Sequence, residues 1–210
     1  MTNKQYWNYR WKLTSALYFK RGELPDVMDI RTLISKPDDL SQYIINDYNL
    51  KGFDCDSTAI RCQRWVKENI KYVDEINEGD MWQFPFETIS RGTGDCDDGS
   101  ILMSSLMINA GIPNYRVKSA LGWVKVDGSD DTFGHVWTLY LASDNKWRNL
   151  DWCFYALKDP YVHPLDKPIK NERYQEITLS FNNEFVWSNI PILLKGRWQK
   201  PEIYKSFKKI

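Results

Sequence analysis

The sequence predicts an α+β domain in which helices precede an antiparallel sheet. Residues 56–70 and 96–110 carry apolar side chains at three- and four-residue steps, which is typical of helices with one buried face. Three strand-like runs follow the second of these segments and are separated by turn-forming residues. Because helices and strands are grouped along the chain, the pattern indicates an α+β arrangement.

The length and composition fit one sizeable domain with flanking segments. The chain has 210 residues, 15% of them aromatic, and its 28 basic side chains balance its 28 acidic ones. This balance gives no overall field that would attract nucleic acid or an anionic membrane. We expect residues 1–50 to form an N-terminal extension packed on the core, residues 51–195 the main domain, and residues 196–210 a basic tail.

Neither a targeting segment nor a membrane span is expected. The N-terminal stretch lacks a continuous apolar run and a small-residue cleavage site. No window approaches the roughly 18 uncharged apolar residues that a spanning helix needs. We therefore expect a cytoplasmic protein whose four cysteines are reduced.

The first helix is expected over residues 56–70. Asp56 or Ser57 can cap its start. Small and apolar side chains recur on one face, namely Ala59, Cys62, Val66 and Ile70. This pattern predicts that Cys62 is a buried structural thiol.

The second helix is expected to begin at Cys96, in the stretch GTGDCDDGS. Its apolar residues continue to Ala110, and Gly111 followed by Pro113 marks its end. The strands then follow at 115–126, 133–142 and 146–152, with the turn sequences DGSDDT and SDN between them. A further hairpin is predicted around Asn182-Asn183.

Cys96 has four candidate roles: metal ligand, half of a disulfide, buried thiol and nucleophile. The flanking aspartates and the segment 127–138 both fail the calcium-loop pattern of alternating acids, a glycine and a final glutamate. No CxxC or HxxxH spacing suggests zinc. The sequence therefore predicts no metal site, and reduced thiols leave a nucleophile chemically allowed.

A nucleophilic cysteine needs a lowered thiol pKa, a base and a group that orients the base. The start of a helix favours a thiolate through its unpaired N–H groups and its dipole. Asp95, Asp97 and Asp98 suit a helix start, but their charge opposes the thiolate. Cys96 therefore depends on a nearby histidine.

The sequence contains two histidines, and His135 is the better candidate for the base. His163 lies in a loop bounded by prolines and is expected to be a surface or packing residue. His135 lies on an apolar strand face, where a satisfied core residue is the alternative. If the hairpin is centred on Ser143, His135 directly opposes Asp151, with Cβ atoms about 5 Å apart. A loop with an even number of residues would break this pair.

Four sequence elements, in order, carry a family resemblance: GDCDDGSILMSSLMINAGIPNYRVKSALG, GHVWTLYL, KWRNLDW and the upstream lead-in DMWQFPFETISRGTGDC. Together they resemble the transglutaminase-like superfamily, in particular its bacterial and bacteriophage cysteine peptidases. The resemblance covers roughly residues 54–152. It implies a papain-like or transglutaminase-like core, with helices on an antiparallel sheet and the nucleophile at the N-terminus of a helix.

The resemblance also implies roles for individual residues. Cys96 matches the nucleophile, His135 the general base and later acid, and Asp151 the carboxylate that orients the base. Gln83 or Trp82 would donate to an oxyanion together with the Cys96 backbone N–H. Both also have ordinary readings, with Trp82 as a wall and Gln83 as a surface residue.

The resemblance also bears on one residue of the lead-in, Glu87, and on one near the helix start, Gly99. Glu87 matches the acid of the lead-in and would help to position the loop. The segment 98–100 reads Asp-Gly-Ser, where many relatives have an acid, an aromatic and a small residue. We expect Gly99 to leave room near the thiol.

The implied function is cysteine-dependent acyl transfer on a peptide or carboxamide bond, through a Cys-His-Asp triad without a cofactor. Hydrolysis is expected, because the chain lacks the large accessory domains of animal transglutaminases. The alternatives are a protein transglutaminase with an amine acceptor and a non-catalytic structural or interaction protein, such as a phage component. The expected partner is a protein or peptide substrate, with no nucleic acid and no membrane, and a virion component is the alternative setting to the cytosol.

Overall fold

The computed structural model describes residues 12–14, 18–20, 27–34, 39–74, 81–154, 163–166, 168–169 and 171–188. The predicted tail at 196–210 lies outside these ranges. Where the N-terminal 50 residues are described, they contact the rest of the molecule through a strand in the main sheet and through side chains such as Ile44 and Leu50 in its core. The domain boundaries at residues 50 and 195 stay predictions.

A six-stranded antiparallel sheet forms the centre of the molecule, in the order β1-β10-β9-β6-β7-β8. Its strands are β1 (Lys12–Thr14), β6 (Val117–Lys125), β7 (Thr132–Leu141), β8 (Trp147–Leu150), β9 (Tyr174–Phe181) and β10 (Val186–Ser188). The remaining described strands form two small sheets. In one, β2 (Tyr18–Lys20) pairs antiparallel with β3 (Val27–Asp29), and in the other, β4 (Lys71–Tyr72) pairs parallel with β5 (Thr93–Gly94).

Four α-helices accompany the sheet in the described chain: α1 (Asp39–Asp47), α2 (Cys55–Asn69), α3 (Pro85–Arg91) and α4 (Cys96–Asn109). Short 3₁₀ turns lie at Ile30–Leu33, Asn114–Arg116 and Pro164–Asp166. The α+β class predicted from the sequence is confirmed. No helix among the described residues has the length and apolar character needed to cross a membrane.

Helix α4 is the central helix, because residues 97–107 are all buried between the sheet and the other helices. Its polar side chains bond to the sheet: the Ser104 hydroxyl lies 2.9 Å from that of Ser119 on β6 and 3.1 Å from that of Thr138 on β7. These bonds satisfy buried hydroxyl groups that would otherwise destabilise the interface. They also fix the position of α4 along the sheet.

The predicted helices are present, with one correction at a helix start. The face of α2 that carries Ala59, Cys62 and Val66 is buried, as predicted, and so is Ile70 directly after the helix. The cap, however, is Asp54, which accepts the backbone N–H of Ser57 at 2.7 Å. The prediction of Asp56 or Ser57 was wrong, because the cap lies two residues before Asp56 and Ser57 is the third helical residue. Asp56 instead accepts the Tyr140 hydroxyl at 2.6 Å.

The predicted hairpin at Asn182-Asn183 is confirmed, since β9 and β10 pair around it. The Asn182 side-chain oxygen accepts the backbone N–H groups of Glu184 at 2.9 Å and Phe185 at 2.8 Å. An asparagine that bonds to the backbone two and three residues ahead is a common way to form a turn. The sequence signal and the tertiary structure agree here.

The β7–β8 hairpin differs from the predicted register by two residues. Leu139 opposes Asn149, whereas the hairpin centred on Ser143 would have placed Trp147 there. The loop is centred on Asp144, since Ala142 and Lys146 close it and Asn145 has a left-handed φ of 60°. A three-residue loop with a left-handed last residue is a common hairpin connection. The shift is even, so each side chain keeps its predicted face.

Candidate active site

Cys96 is the first residue of α4, as predicted. Asp95 caps the helix in an extended conformation, and its side chain accepts the Asp97 N–H at 3.2 Å. Asp98 completes the capping box by accepting the Asp95 N–H at 3.2 Å. The flanking acids therefore hold the start of the helix, and Cys96 sits where the N–H groups of its first turn converge.

Asp98 also ties the upstream lead-in to this helix start. Its carboxylate is fully buried and accepts the Gln83 backbone N–H at 2.7 Å and the Gln83 side-chain amide at 2.6 Å. Gln83 is therefore buried, not the surface residue of the alternative reading. Trp82 is buried too, and its ring stacks on Phe181 with centroids 6.2 Å apart. An oxyanion role for either residue stays a prediction.

Glu87 organises the next helix. Its side chain accepts the Phe84 N–H at 2.7 Å, at the start of α3. Helix α3 ends at Gly92, which has a left-handed φ of 66° and leads directly into β5. Strand β5 ends at Gly94, directly before Asp95. The position of α3 therefore sets the direction from which the chain enters the start of α4 at Cys96.

His135 and Asp151 form a buried pair, with Nε2 of the imidazole 2.7 Å from Oδ2 of the carboxylate. The same oxygen accepts the Tyr174 hydroxyl at 2.8 Å, and Oδ1 accepts the N–H groups of Cys153 at 3.1 Å and Phe154 at 3.3 Å. Burial alone would raise the pKa of Asp151. The charge of His135 and these hydrogen bonds outweigh burial and lower that pKa to about 2.

The contact between His135 and Asp151 is diagonal across the hairpin. In the observed register, position 151 continues opposite Trp137, two residues beyond His135. The indole of Trp137 makes the same diagonal step, donating to the Asn149 side chain at 2.8 Å. Diagonal neighbours on adjacent strands lie about 7–8 Å apart, within reach of long or aromatic side chains. The predicted pair is therefore formed, but not by direct opposition.

The start of α4 contacts β7, which carries His135, and the segment after β8, which carries Asp151. The Trp152 indole N–H donates to the Cys96 carbonyl at 3.4 Å, and the Ser100 hydroxyl donates to the Val136 carbonyl at 2.9 Å. Gly99 lies directly against the Trp152 ring, so that any Cβ there would overlap it. The expectation that Gly99 leaves room near the thiol was wrong, because the Trp152 indole fills that space.

Helix α2 supports the Asp151 backbone. The Gln63 side-chain amide donates to the Asp151 carbonyl at 2.7 Å, and both groups are buried. Gln63 and Tyr174 are therefore residues of the candidate site that the sequence reasoning did not find. A polar residue on the buried face of a predicted helix was the available signal for Gln63, while no local pattern marks Tyr174.

Tyr72 lies beside the site. Its ring centroid is 5.8 Å from that of Trp152, and the residue is 41% exposed. Burial raises the pKa of the Tyr72 hydroxyl, and negative charge at Cys96 and Cys153 raises it further. Tyr72 thus lies within electrostatic reach of both thiols.

The four cysteines, all within the described chain, form no disulfide. Cys62 is fully buried, and burial raises its pKa to about 12, in keeping with the predicted structural thiol. Cys96 is only partly buried. His163, the other histidine, is exposed, and its Nδ1 accepts the Leu165 N–H at 3.3 Å.

Replacing Tyr174 with phenylalanine tests whether its hydroxyl positions Asp151. The change removes one donor from a charged acceptor, so we expect a loss of about 1.5–3 kcal/mol of unfolding free energy at neutral pH. Asp151 has a depressed folded pKa, so this stabilisation is present above its unfolded pKa and is lost as pH falls towards about 2. Urea unfolding measured from pH 7 downwards should therefore show that the difference in unfolding free energy between the wild-type protein and Tyr174→Phe becomes smaller in acid.

Tyr115→Phe is the matched control, because Tyr115 is 54% exposed. It should change the unfolding free energy by less than about 0.5 kcal/mol. If the loss of unfolding free energy in Tyr174→Phe stayed constant with pH, this would contradict the link to Asp151.

Known proteins resemble this chain at the level of family and fold. A family model described as the transglutaminase-like superfamily matches residues 43–152, just over half of the chain. The UPF0252 protein MJ1282 of Methanocaldococcus jannaschii is 32% identical over 96 residues, which cover 42% of this chain and 27% of that protein. The match thus spans about a quarter of the length of that curated relative.

Solved structures of Legionella pneumophila LapG share the fold. The calcium-bound form has a TM-score of 0.54 at 17% identity, covering 83% of this chain and 94% of LapG. The EGTA-treated form has a TM-score of 0.52 at 18% identity, covering 76% and 83%. At such identities the likeness shows the fold alone. The family match, the α+β core and the cysteine at the start of the central helix together show that this chain belongs to the transglutaminase-like superfamily.

Proposed function

We propose that this protein is a cysteine hydrolase that cleaves peptide or carboxamide bonds of a protein or peptide substrate. In this proposal Cys96 is the nucleophile, His135 the base and Asp151 the group that orients the base. The observation that carries it is the buried contact of 2.7 Å between His135 and Asp151. A carboxylate buried in this way serves to hold an imidazole in one orientation and one tautomer.

The tautomer follows from the charge of Asp151. Because its pKa is lowered to about 2, the carboxylate is ionised at neutral pH and can only accept hydrogen bonds. Nε2 of His135 must therefore carry a proton, and Nδ1 is the nitrogen that receives the Cys96 proton. The start of α4 and the resulting imidazolium then stabilise the thiolate.

The chemistry divides into acylation and deacylation. The thiolate attacks the carbonyl carbon, and the oxyanion is stabilised by the Cys96 backbone N–H with Gln83 or Trp82 as the second donor. His135 then returns its proton to the leaving amine, and an acyl-enzyme forms. Water, activated by His135, releases the acid and regenerates the thiol. An amine in place of water would give transamidation.

Thiol reactivity tests the nucleophile. Near pH 6, iodoacetamide should label Cys96 faster than the other three cysteines, and His135→Ala should remove the difference. Cys62 and Cys153 are buried controls, while Cys55 is partly exposed like Cys96 and is therefore the closest match. Peptide mapping after timed quenching gives the four rates. Equal labelling of Cys55 and Cys96 would contradict an activated thiol.

Product analysis distinguishes the reactions. Casein is incubated with the full-length protein and a labelled amine. Peptide fragments, or ammonia released without incorporation of the labelled amine, support hydrolysis. Incorporated amine supports transamidation, whether or not ammonia is released. The absence of fragments, ammonia and incorporated amine favours a non-catalytic role. Cys96→Ala is the control that must abolish any product.

One LapG structure is calcium-bound, and the start of α4 in this chain carries acidic side chains that could contact a cation. Ligand atoms of Asp95, Cys96 and Asp97 lie within 4.8 Å of one another. Two of these are carboxylates, whereas calcium takes six to eight oxygen ligands and a thiolate is not among its preferred donors. The neighbouring Asp98 is engaged by Gln83. These residues do not form a calcium site by themselves, and the casein assay is run with calcium and with EGTA to compare the rates.

A further inference from the structure

A second thiol lies beside the histidine–aspartate pair. Ligand atoms of His135, Asp151 and Cys153 all lie within 4.8 Å of one another, and all three residues are buried. The Cys153 sulfur is 3.7 Å from Oδ1 of Asp151, while Nε2 of His135 is 2.7 Å from Oδ2. The proposed hydrolysis does not use Cys153.

This set of donors matches the preferences of zinc. Zinc binds imidazole nitrogen, thiolate sulfur and carboxylate oxygen at about 2.0–2.3 Å, so its tetrahedral ligands lie about 3.3–3.8 Å apart. The sulfur–oxygen distance of 3.7 Å already lies in this range. That distance is to Oδ1, whereas Nε2 of His135 lies 2.7 Å from the other oxygen, Oδ2, because a proton joins them. For one carboxylate oxygen to serve as the ligand, the carboxylate would turn and the imidazole would separate from it by about 0.6 Å.

The charges also balance. A neutral imidazole, one carboxylate and one thiolate carry two negative charges, which a divalent cation neutralises. A neutral assembly avoids the penalty of burying an uncompensated charge. Coordination releases the Cys153 proton to solvent, since a metal deprotonates a thiol that it binds. The Nε2 proton of a neutral His135 moves to Nδ1.

We propose that His135, Asp151 and Cys153 form an inhibitory zinc site. The three side chains supply three ligands, and water supplies the fourth. Zinc on Nε2 holds the proton on Nδ1, so that His135 cannot accept the Cys96 proton. This inhibition rests on the proposed function, whereas the binding itself does not. The ligands come from β7 and the segment after β8, which is why no local Cys or His spacing predicts the site.

Cobalt titration of the full-length protein tests the site directly. Cobalt(II) reports a thiolate ligand through a charge-transfer band, and zinc should displace the cobalt and remove the band. Losing an outer-shell partner already costs zinc sites about 10–100-fold in affinity, so losing a ligand in Cys153→Ala should weaken binding at least about 100-fold. Cys153→Ser, which keeps the side-chain volume, should also lose the band.

Cys96→Ala and Cys62→Ala are the matched controls and should keep the band. A band that survives in Cys153→Ala, or disappears in Cys96→Ala, would overturn the proposed site, the latter by pointing to the Asp95–Cys96–Asp97 group. No cobalt binding at micromolar concentrations would also overturn it.

The proposed inhibition by zinc is tested separately from zinc binding. Zinc should slow iodoacetamide labelling of Cys96 at least about tenfold in the wild-type protein but not in Cys153→Ala, and a chelator should restore the rate. Cobalt binding without this protection would refute the inhibition and leave the metal site. A protein that binds cobalt but cleaves no substrate would refute the proposed function alone.

Discussion

Replacing Asp151 with asparagine is expected to lower kcat by about three to four orders of magnitude, the scale seen when a triad carboxylate becomes an amide. Oδ1 of Asp151 accepts two backbone N–H groups, so an asparagine would keep its oxygen there. Its NH₂ group would then face Nε2 of His135 and the Tyr174 hydroxyl. The imidazole would have to accept at Nε2 and carry its proton on Nδ1, where it cannot receive the Cys96 proton.

Steady-state kinetics on a peptide or carboxamide substrate, with circular dichroism to confirm folding, check this result. Asp130→Asn is the matched control, because Asp130 is fully exposed and pairs only with Lys125 among the described side-chain contacts. It should leave kcat unchanged within about twofold. An Asp151→Asn variant that is folded and retains more than a tenth of the activity would refute the orienting role.

Replacing Gly122 with alanine should cause a large loss of stability. Gly122 lies between His135 on β7 and Ile177 on β9, where the β6–β9 register shifts. A Cβ at this position would overlap the backbone carbonyl of Glu176 and lie 2.8 Å from the Trp137 ring. Because a backbone atom cannot rotate away, β9 would have to move. We expect a loss of about 2–4 kcal/mol in the free energy of unfolding.

Gly128→Ala provides the comparison. Gly128 has a left-handed φ of 78°, but nothing lies within 4 Å of its Cβ position, so only backbone strain applies. This strain should cost about 1 kcal/mol. Urea denaturation of both variants measures the difference. Equal losses would show that β6 and β9 are not held at the close separation seen at Gly122.

Local patterns in the sequence were sufficient for several elements. The helix at residues 55–69 has the buried face that its apolar spacing predicts, because a 3.6-residue period is a property of the helix itself. The start of α4 at Cys96 was predictable for a similar reason, since aspartates favour the first turn of a helix. The pairing of His135 with Asp151 was anticipated because strand alternation assigns side chains to faces even when the register is off by two residues.

The sequence by itself thus determined the family, the α+β class, the position of Cys96 at a helix start and the side of the sheet that His135 occupies. The tertiary structure alone decided that the contact of His135 with Asp151 is diagonal, since the register depends on how three loop residues close. It also decided that Tyr174 and Gln63 support Asp151 and that Trp152 fills the space beside Gly99. These contacts join residues far apart in the chain, so they depend on packing rather than on any local period.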